Sequence, residues 1–205
     1  MARGYGGVSA EQRRSERRTA LLEAAMDVLP DGLTVRGVCG HAKLNDRYFY
    51  EHFRDCAELL KALAEREGAG AVAVVMDVAA TPVPDMRAQV RRMVEAAIGF
   101  VCDDPRRGRV WLAVQVTESL YPMRYQMIRR LADIMAAHAY ERLGERAPAE
   151  PDTTMAAFTL VSGGFDLFCS WLRGDLDVSR ARLTDFLVAM ILATADLTDA
   201  LTGSD

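Results

Sequence analysis

Apolar residues recur at helical spacing along almost the whole chain. Leu22, Ala25, Met26 and Leu29 stand at i, i+3, i+4 and i+7, the stripe of a helix that buries one face. Ser9, with Gln12 three residues on, predicts the start of that first helix, and Pro30-Asp31-Gly32 its end. Thr34 is placed to cap a short second helix with an inner face of Val35, Val38, Cys39 and Ala42. Lys43-Leu44-Asn45 reads as a tight connection, and Asn45 as the cap of a third helix whose inner face carries Phe49 and Phe53. A fourth helix runs from about Asp55 to near Val78.

Thr81-Pro82-Val83-Pro84 is the clearest linker. Beyond it the pattern predicts helices over about 85–101, 105–118, 121–144 and 152–172, the last of these capped by Asp152, with Pro148 to Pro151 as a loop. Ser179 caps a final helix to about Leu201. The fold class is therefore all-α, with about nine helices. Residues 1–54 form an N-terminal three-helix domain, and residues 55–205 a helical C-terminal domain.

Composition changes this picture little. Half of the 205 residues are hydrophobic and 26% are charged, as in ordinary globular chains. Uncharged runs such as Gly68 to Met76 and Phe186 to Ala195 are too short to span a bilayer, and Met1 to Ala10 does not read as a signal peptide. Cys39, Cys56, Cys102 and Cys169 are scattered, without metal-ligand spacing, so buried thiols in a reducing cytoplasm are expected and no metal site. The charge is uneven: residues 1–54 carry net +2 and residues 55–205 net −6. Arg13, Arg14, Arg17 and Arg18 crowd together near the start. This cluster reads either as a solvated helix face or as a basic arm that follows a nucleic-acid backbone or enters a minor groove.

Two short helices joined by a tight turn, with a third packed across them, make a helix-turn-helix unit. Its second helix suits the major groove of DNA. The outward residues are Asn45, Asp46, Arg47, Tyr48 and Tyr50. Arg47 has the geometry for guanine O6 and N7, and Tyr48 for a thymine methyl or a phosphate. Thr34, Arg36, Tyr50 and His52 suit phosphates, as do Arg13 and Arg17. His52 reads equally as a structural hydrogen-bonder, and Tyr48 and Tyr50 as core aromatics.

The segment Thr34-Val-Arg-Gly-Val-Cys-Gly-His-Ala-Lys-Leu-Asn-Asp-Arg-Tyr-Phe-Tyr-Glu-His-Phe53 resembles the DNA-binding signature of tetracycline-repressor-like (TetR family) regulators. Thr34, Val35, Arg36, Val38, Ala42, Phe49, Tyr50, His52 and Phe53 match it in register. Arg18, Leu21, Leu22, Ala24 and Ala25 match upstream, and Glu58-Leu59-Leu60 downstream. The resemblance covers about residues 10–65. The chain departs from the pattern where Lys43 replaces the turn glycine and Leu44-Asn45 the following valine and serine. A non-glycine residue there is strained at positive φ, which predicts a reshaped turn or an added phosphate contact from Lys43. The Pro30–Leu33 connection is also short, and Asp46 and Glu51 place negative charge on the reading helix.

The resemblance implies a sequence-specific, homodimeric transcription regulator, more often a repressor, acting on palindromic double-stranded DNA. It also implies a C-terminal cavity for a small apolar or amphipathic ligand. Met93, Phe100, Trp111, Met127, Met135, Phe158 and Phe165 are its candidate apolar lining, with Gln115, Glu118, His138 and Thr159 as polar contacts. The same residues read as plain core. Phe168, Trp171, Leu172, Leu187, Met190 and Ile191 are candidates for the dimer seam, where Ser162-Gly163-Gly164 would allow close approach of two helices. Catalytic motifs are absent from the sequence, so no catalytic residue or cofactor is expected. The alternatives are a constitutive DNA binder without a ligand, and a ligand-binding protein or enzyme with a vestigial DNA domain.

Overall fold

A computed structural model describes residues 9–194, apart from 82, 145, 146 and 148. Among the described residues there are nine α-helices and no strand. They are α1 (Ala10–Val28), α2 (Val35–Ala42), α3 (Asp46–Tyr50), α4 (Cys56–Ala79), α5 (Met86–Cys102), α6 (Pro105–Val116), α7 (Tyr121–Leu143), α8 (Glu150–Arg173) and α9 (Arg180–Ala193). The chain divides into two compact units, residues 1–65 and 66–205. The division falls within α4, later than the sequence pattern placed it.

In the first unit, Ser9 accepts a hydrogen bond from the Gln12 amide at 3.0 Å, capping α1. Leu21, Leu22, Ala24, Ala25 and Met26 of α1 are buried, and this helix packs on α2. Thr34 accepts from the Gly37 amide at 3.1 Å and Asn45 from the Tyr48 amide at 3.2 Å, so each short helix has its cap. Phe49 is fully buried. Phe53 lies just beyond α3 rather than on it, and is also buried.

The turn between α2 and α3 keeps its left-handed form. Lys43 sits at φ 54°, ψ 39°, the one described non-glycine residue at positive φ. The Lys43 amide donates to Gly40 O at 3.3 Å and the Leu44 amide to Cys39 O at 2.9 Å. These bonds satisfy the last carbonyls of α2 in a Schellman-type ending. The expected reshaping does not occur, because the backbone bonds hold the conformation against the strain of a Cβ.

In the second unit, α7 packs along α8, α5 against α9, and α6 against α8. Ile98, Val101, Trp111, Ile128, Phe168 and Leu183 form its core. Two boundaries differ from expectation. The chain leaves α6 at Thr117, whose backbone is extended at ψ 109°, and makes a single 3-10 turn over Glu118–Leu120 before α7. Helix α8 begins at Glu150, so Asp152 lies inside its first turn instead of capping it. Pro151 is tolerated there because first-turn amides have no helical acceptor. The far end of α9, expected near Leu201, and the loop residue Pro148 lie outside the described residues.

The α4–α5 connection is tied down. Gln89 is fully buried; its amide donates to Val78 O at 3.1 Å and its oxygen accepts from the Val83 amide at 3.0 Å. Arg92 donates to Thr81 O at 2.9 Å. Arg142, near the end of α7, donates to Val83 O and Pro84 O.

The Lys43 turn gives a stability test. Lys43→Gly is expected to stabilise the protein by about 0.5–1 kcal/mol, since glycine carries no left-handed penalty. Lys43→Val, β-branched at the same φ, is expected to destabilise it. Urea midpoints of the two variants check the opposite signs.

Candidate functional site

Arg13–Arg18 lie inside α1. They belong to one face of that helix and not to a separate arm. Arg17 is partly buried, stacked over the Tyr48 ring at 4.6 Å and paired with Glu51 at 3.6 Å. Arg14 donates to Glu51 O at 3.4 Å, and Arg18 lies over the Phe53 ring at 5.1 Å. Arg13 is exposed.

On and around α3, Arg36, Lys43, Asn45, Asp46, Arg47 and Tyr50 are exposed. The Arg47 side chain is 84% exposed and pairs with Glu51 at 3.3 Å. Tyr50 is 61% exposed, with its ring edge-on to the buried Phe49 at 5.5 Å. Three expected contact residues have structural work instead. The oxygen of Asn45 caps α3. Asp46 hydrogen-bonds the Cys39 thiol, and this bond adds to burial in pushing the thiol up to about 11. Tyr48 is half-buried beneath Arg17. His52 is also half-buried, and its Nε2 is buried without a hydrogen-bond partner, so it faces inward rather than toward a phosphate.

The second unit contains a cavity of about 270 Å³. Its walls come from the second half of α4 (Ala71, Val75), α5 (Met86, Met93, Ile98), α6 (Trp111), α7 (Met127, Met135, His138), α8 (Thr153, Phe165, Phe168) and α9 (Leu187, Ile191), with Thr194 just beyond it. Met93, Trp111, Met127, Met135, His138 and Phe165 thus line it as expected from helical phase.

Phe100, Gln115, Glu118, Phe158 and Thr159 do not line it. Phe100 turns toward Gly70, where an added Cβ would come within 2.5 Å of its ring. The Arg107 guanidinium covers the ring at 4.1 Å while pairing with the buried Glu67 at 3.1 Å. Gln115 belongs to a surface network in which it donates to Asp166 at 3.3 Å and accepts from Arg173. Glu118 and Thr159 are exposed. Phe158 packs edge-on to Tyr125 at 5.8 Å.

The dimer-seam candidates also divide. Phe168, Leu187 and Ile191 face the cavity of their own chain. Gly164 lies 3.6 Å, measured from an added Cβ, from the Leu187 side chain of the same chain, so its close approach is to α9. Trp171 donates to Val178 O at 2.8 Å, and Leu172 packs toward Gly108. Met190 is exposed, as are Met155 and Phe186. Among the described residues α8 alone is long and apolar enough to cross a membrane; here its neighbours are α6, α7 and α9. The four cysteines are free, and no cluster of three or more metal-ligating side chains occurs among the described residues.

No protein-family model matches the chain, and no curated protein matches it. Solved structures do. A TetR-family transcriptional regulator from Streptomyces coelicolor superposes with TM-score 0.72 at 18% identity, over 93% of this chain and 86% of that one. The transcriptional regulator FadR from Bacillus subtilis, solved in complex with stearoyl-CoA, gives 0.71 at 13% identity over 84% and 96%. A TetR-like transcriptional regulator from a Rhodococcus species gives 0.64 at 19% over 91% and 97%. The chain therefore has the TetR-like fold.

Burial, followed by Arg14 and Arg17, holds His52 below the usual histidine pKa; burial, followed by Arg142, does the same for His138. Both are neutral in the folded protein at a pH where the unfolded chain, titrating near 6.5, begins to take up protons. Their contribution to stability is complete above about pH 6.5 and is lost as pH falls from there toward the lowered pKa. Urea midpoints at pH 7.5 and 5.5 are expected to fall on acidification, and His52→Gln and His138→Gln each to shrink the fall.

Proposed function

We propose that the chain is a TetR-family regulator of transcription: a cytoplasmic homodimer that binds a palindromic operator and is released from it by a small ligand, acting as a repressor. The observation that carries this reading is the capped, left-handed helix-turn-helix. It buries Phe49 and leaves Arg47 and Tyr50 outward, beside exposed Arg36 and Lys43. Arg47 is the base-reading residue, Tyr50 its apolar neighbour, and Arg36, Lys43 and Arg13 the phosphate contacts. Arg17 supports Tyr48 from behind.

Two further features support the reading. Exposed Met155, Phe186 and Met190 on α8 and α9 supply apolar surface for a second copy of the chain. The cavity favours a ligand-responsive regulator over a constitutive one, whose second unit would be filled. Helix α4 begins in the first unit and ends in the cavity wall, so it is the element through which occupancy would bias the spacing of the reading helices. The coupling is reciprocal: a ligand that weakens operator binding binds the operator complex more weakly by the same factor.

Selection from random duplex DNA is expected to enrich an inverted repeat with half-sites about 34–36 Å apart. On that site Arg47→Ala should cost tenfold or more and relax one base preference, while Arg36→Ala should weaken all sequences alike and lower the salt slope by about 1. Enrichment of no sequence at either of two salt concentrations would overturn the assignment. Glu51→Gln frees Arg17 and Arg47, and should tighten binding about two- to fivefold, the scale of an exposed ion pair. A Phe186→Asp/Met190→Asp variant should sediment as a monomer and lose the palindrome; a dimer that still binds it would move the interface elsewhere.

A further inference from the structure

The chemistry of the cavity wall narrows what can enter it. Among the described residues, those that line the cavity, from α4 to α9 and Thr194 just beyond, are uncharged: no Asp, Glu, Lys or Arg is among them. Four methionines do, Met86, Met93, Met127 and Met135, and thioether side chains adapt to irregular apolar shapes. Several arginines of the second unit are engaged outside the wall. Arg107 is held by Glu67 and Phe100, Arg142 by the carbonyls of Val83 and Pro84, and Arg173 by Asp175 and Gln115.

An ion brought into such a wall would lose its hydration without gaining a counter-charge. A neutral apolar body loses nothing comparable and gains in proportion to the area it buries. The polar groups of the wall are the Thr153 and Thr194 hydroxyls, the Trp111 indole and the His138 imidazole. Burial and Arg142 hold His138 below its ordinary pKa, so this imidazole, the one titratable group of the wall among the described residues, stays uncharged near neutral pH. Its Nε2, and the Trp111 Nε1, are buried without hydrogen-bond partners.

We propose that the cavity takes an uncharged lipophilic molecule with at most one or two neutral oxygens, and discriminates against amphiphiles whose charge must enter with the apolar body. This rests on the reading of the second unit as a ligand-binding domain, and it names the ligand class for that domain.

The test uses the full chain at pH 8 and the neutral fluorophore N-phenyl-1-naphthylamine, displaced in turn by 1-decanol, decanoate and decylammonium. Trp111 and Trp171 are the only tryptophans, so in a Trp171→Phe variant energy transfer from Trp111 reports probe bound in the cavity. Decanol is expected to displace the probe at a concentration at least tenfold below either ion. Ala97→Phe, which fills the cavity from α5, should abolish the Trp111 signal. Met93→Lys, which adds a cation to the wall, should improve decanoate at least tenfold relative to decanol; if that variant does not fold, the three-way competition decides alone.

Equal or better displacement by decanoate or decylammonium would overturn the inference, as would a probe signal that survives Ala97→Phe. Failure of the probe to bind, in protein that still selects a palindrome, would overturn the ligand assignment and leave the DNA reading standing. Cavity binding of decanol by protein that selects no DNA sequence would uphold the ligand class and remove the regulator reading.

Discussion

A helix of five residues has no stability of its own, since nucleation costs more than its few hydrogen bonds return. Everything α3 presents to its surroundings therefore depends on the burial of Phe49. That ring is fully enclosed, in contact with Tyr50 and Phe53, and it fixes the azimuth of the helix. The caps at Thr34 and Asn45 and the left-handed residue at Lys43 fix the two ends. With azimuth and ends set, Arg47 and Tyr50 have one direction in which to point. Glu51 engages both Arg17 and Arg47, so part of the positive charge on this face is already paired.

The second unit solves a different problem. Its helices are long enough to persist through their own packing, and they leave space between them. Small residues keep that space open: Ala71, Ala97, Ala136, Ala157 and Gly164 all line it. Phe100 is the informative exception among the aromatics. Its ring is drawn out of the cavity and lies between Gly70 and Arg107, and Arg107 shares the buried Glu67 with Arg66, which pairs with its other oxygen at 2.8 Å. A buried carboxylate needs a paired cation, and meeting that need places a guanidinium over the ring.

Most of the fold was legible in the sequence, because helical periodicity and caps are local signals. Ser9, Thr34, Asn45 and Ser179 each cap the helix they were expected to cap. The misjudged boundaries, at Thr117 and at Glu150, turn on backbone angles that side-chain pattern does not encode. Helix α3 was legible down to its outward arginine, through its resemblance to a known signature. Arg17 and His52 were not, because their orientation is set by contacts with Tyr48, Glu51 and neighbouring arginines distant in sequence. The cavity was half legible: phase distinguishes an inner from an outer face, but does not separate a filled interior from an empty one. Phe168, Leu187 and Ile191 have the same pattern as a subunit seam, and only the packing of α8 against α9 turns them inward.

The segment richest in proline, which by composition is the best candidate for a flexible joint, is one of the most heavily bonded places in the second unit. Gln89 and Arg92 hold it from α5, and Arg142 reaches it from the far end of α7. The exit of α4 thus shares its degrees of freedom with two other helices. A displacement of that end has to break or carry with it bonds to two other helices, α5 and α7.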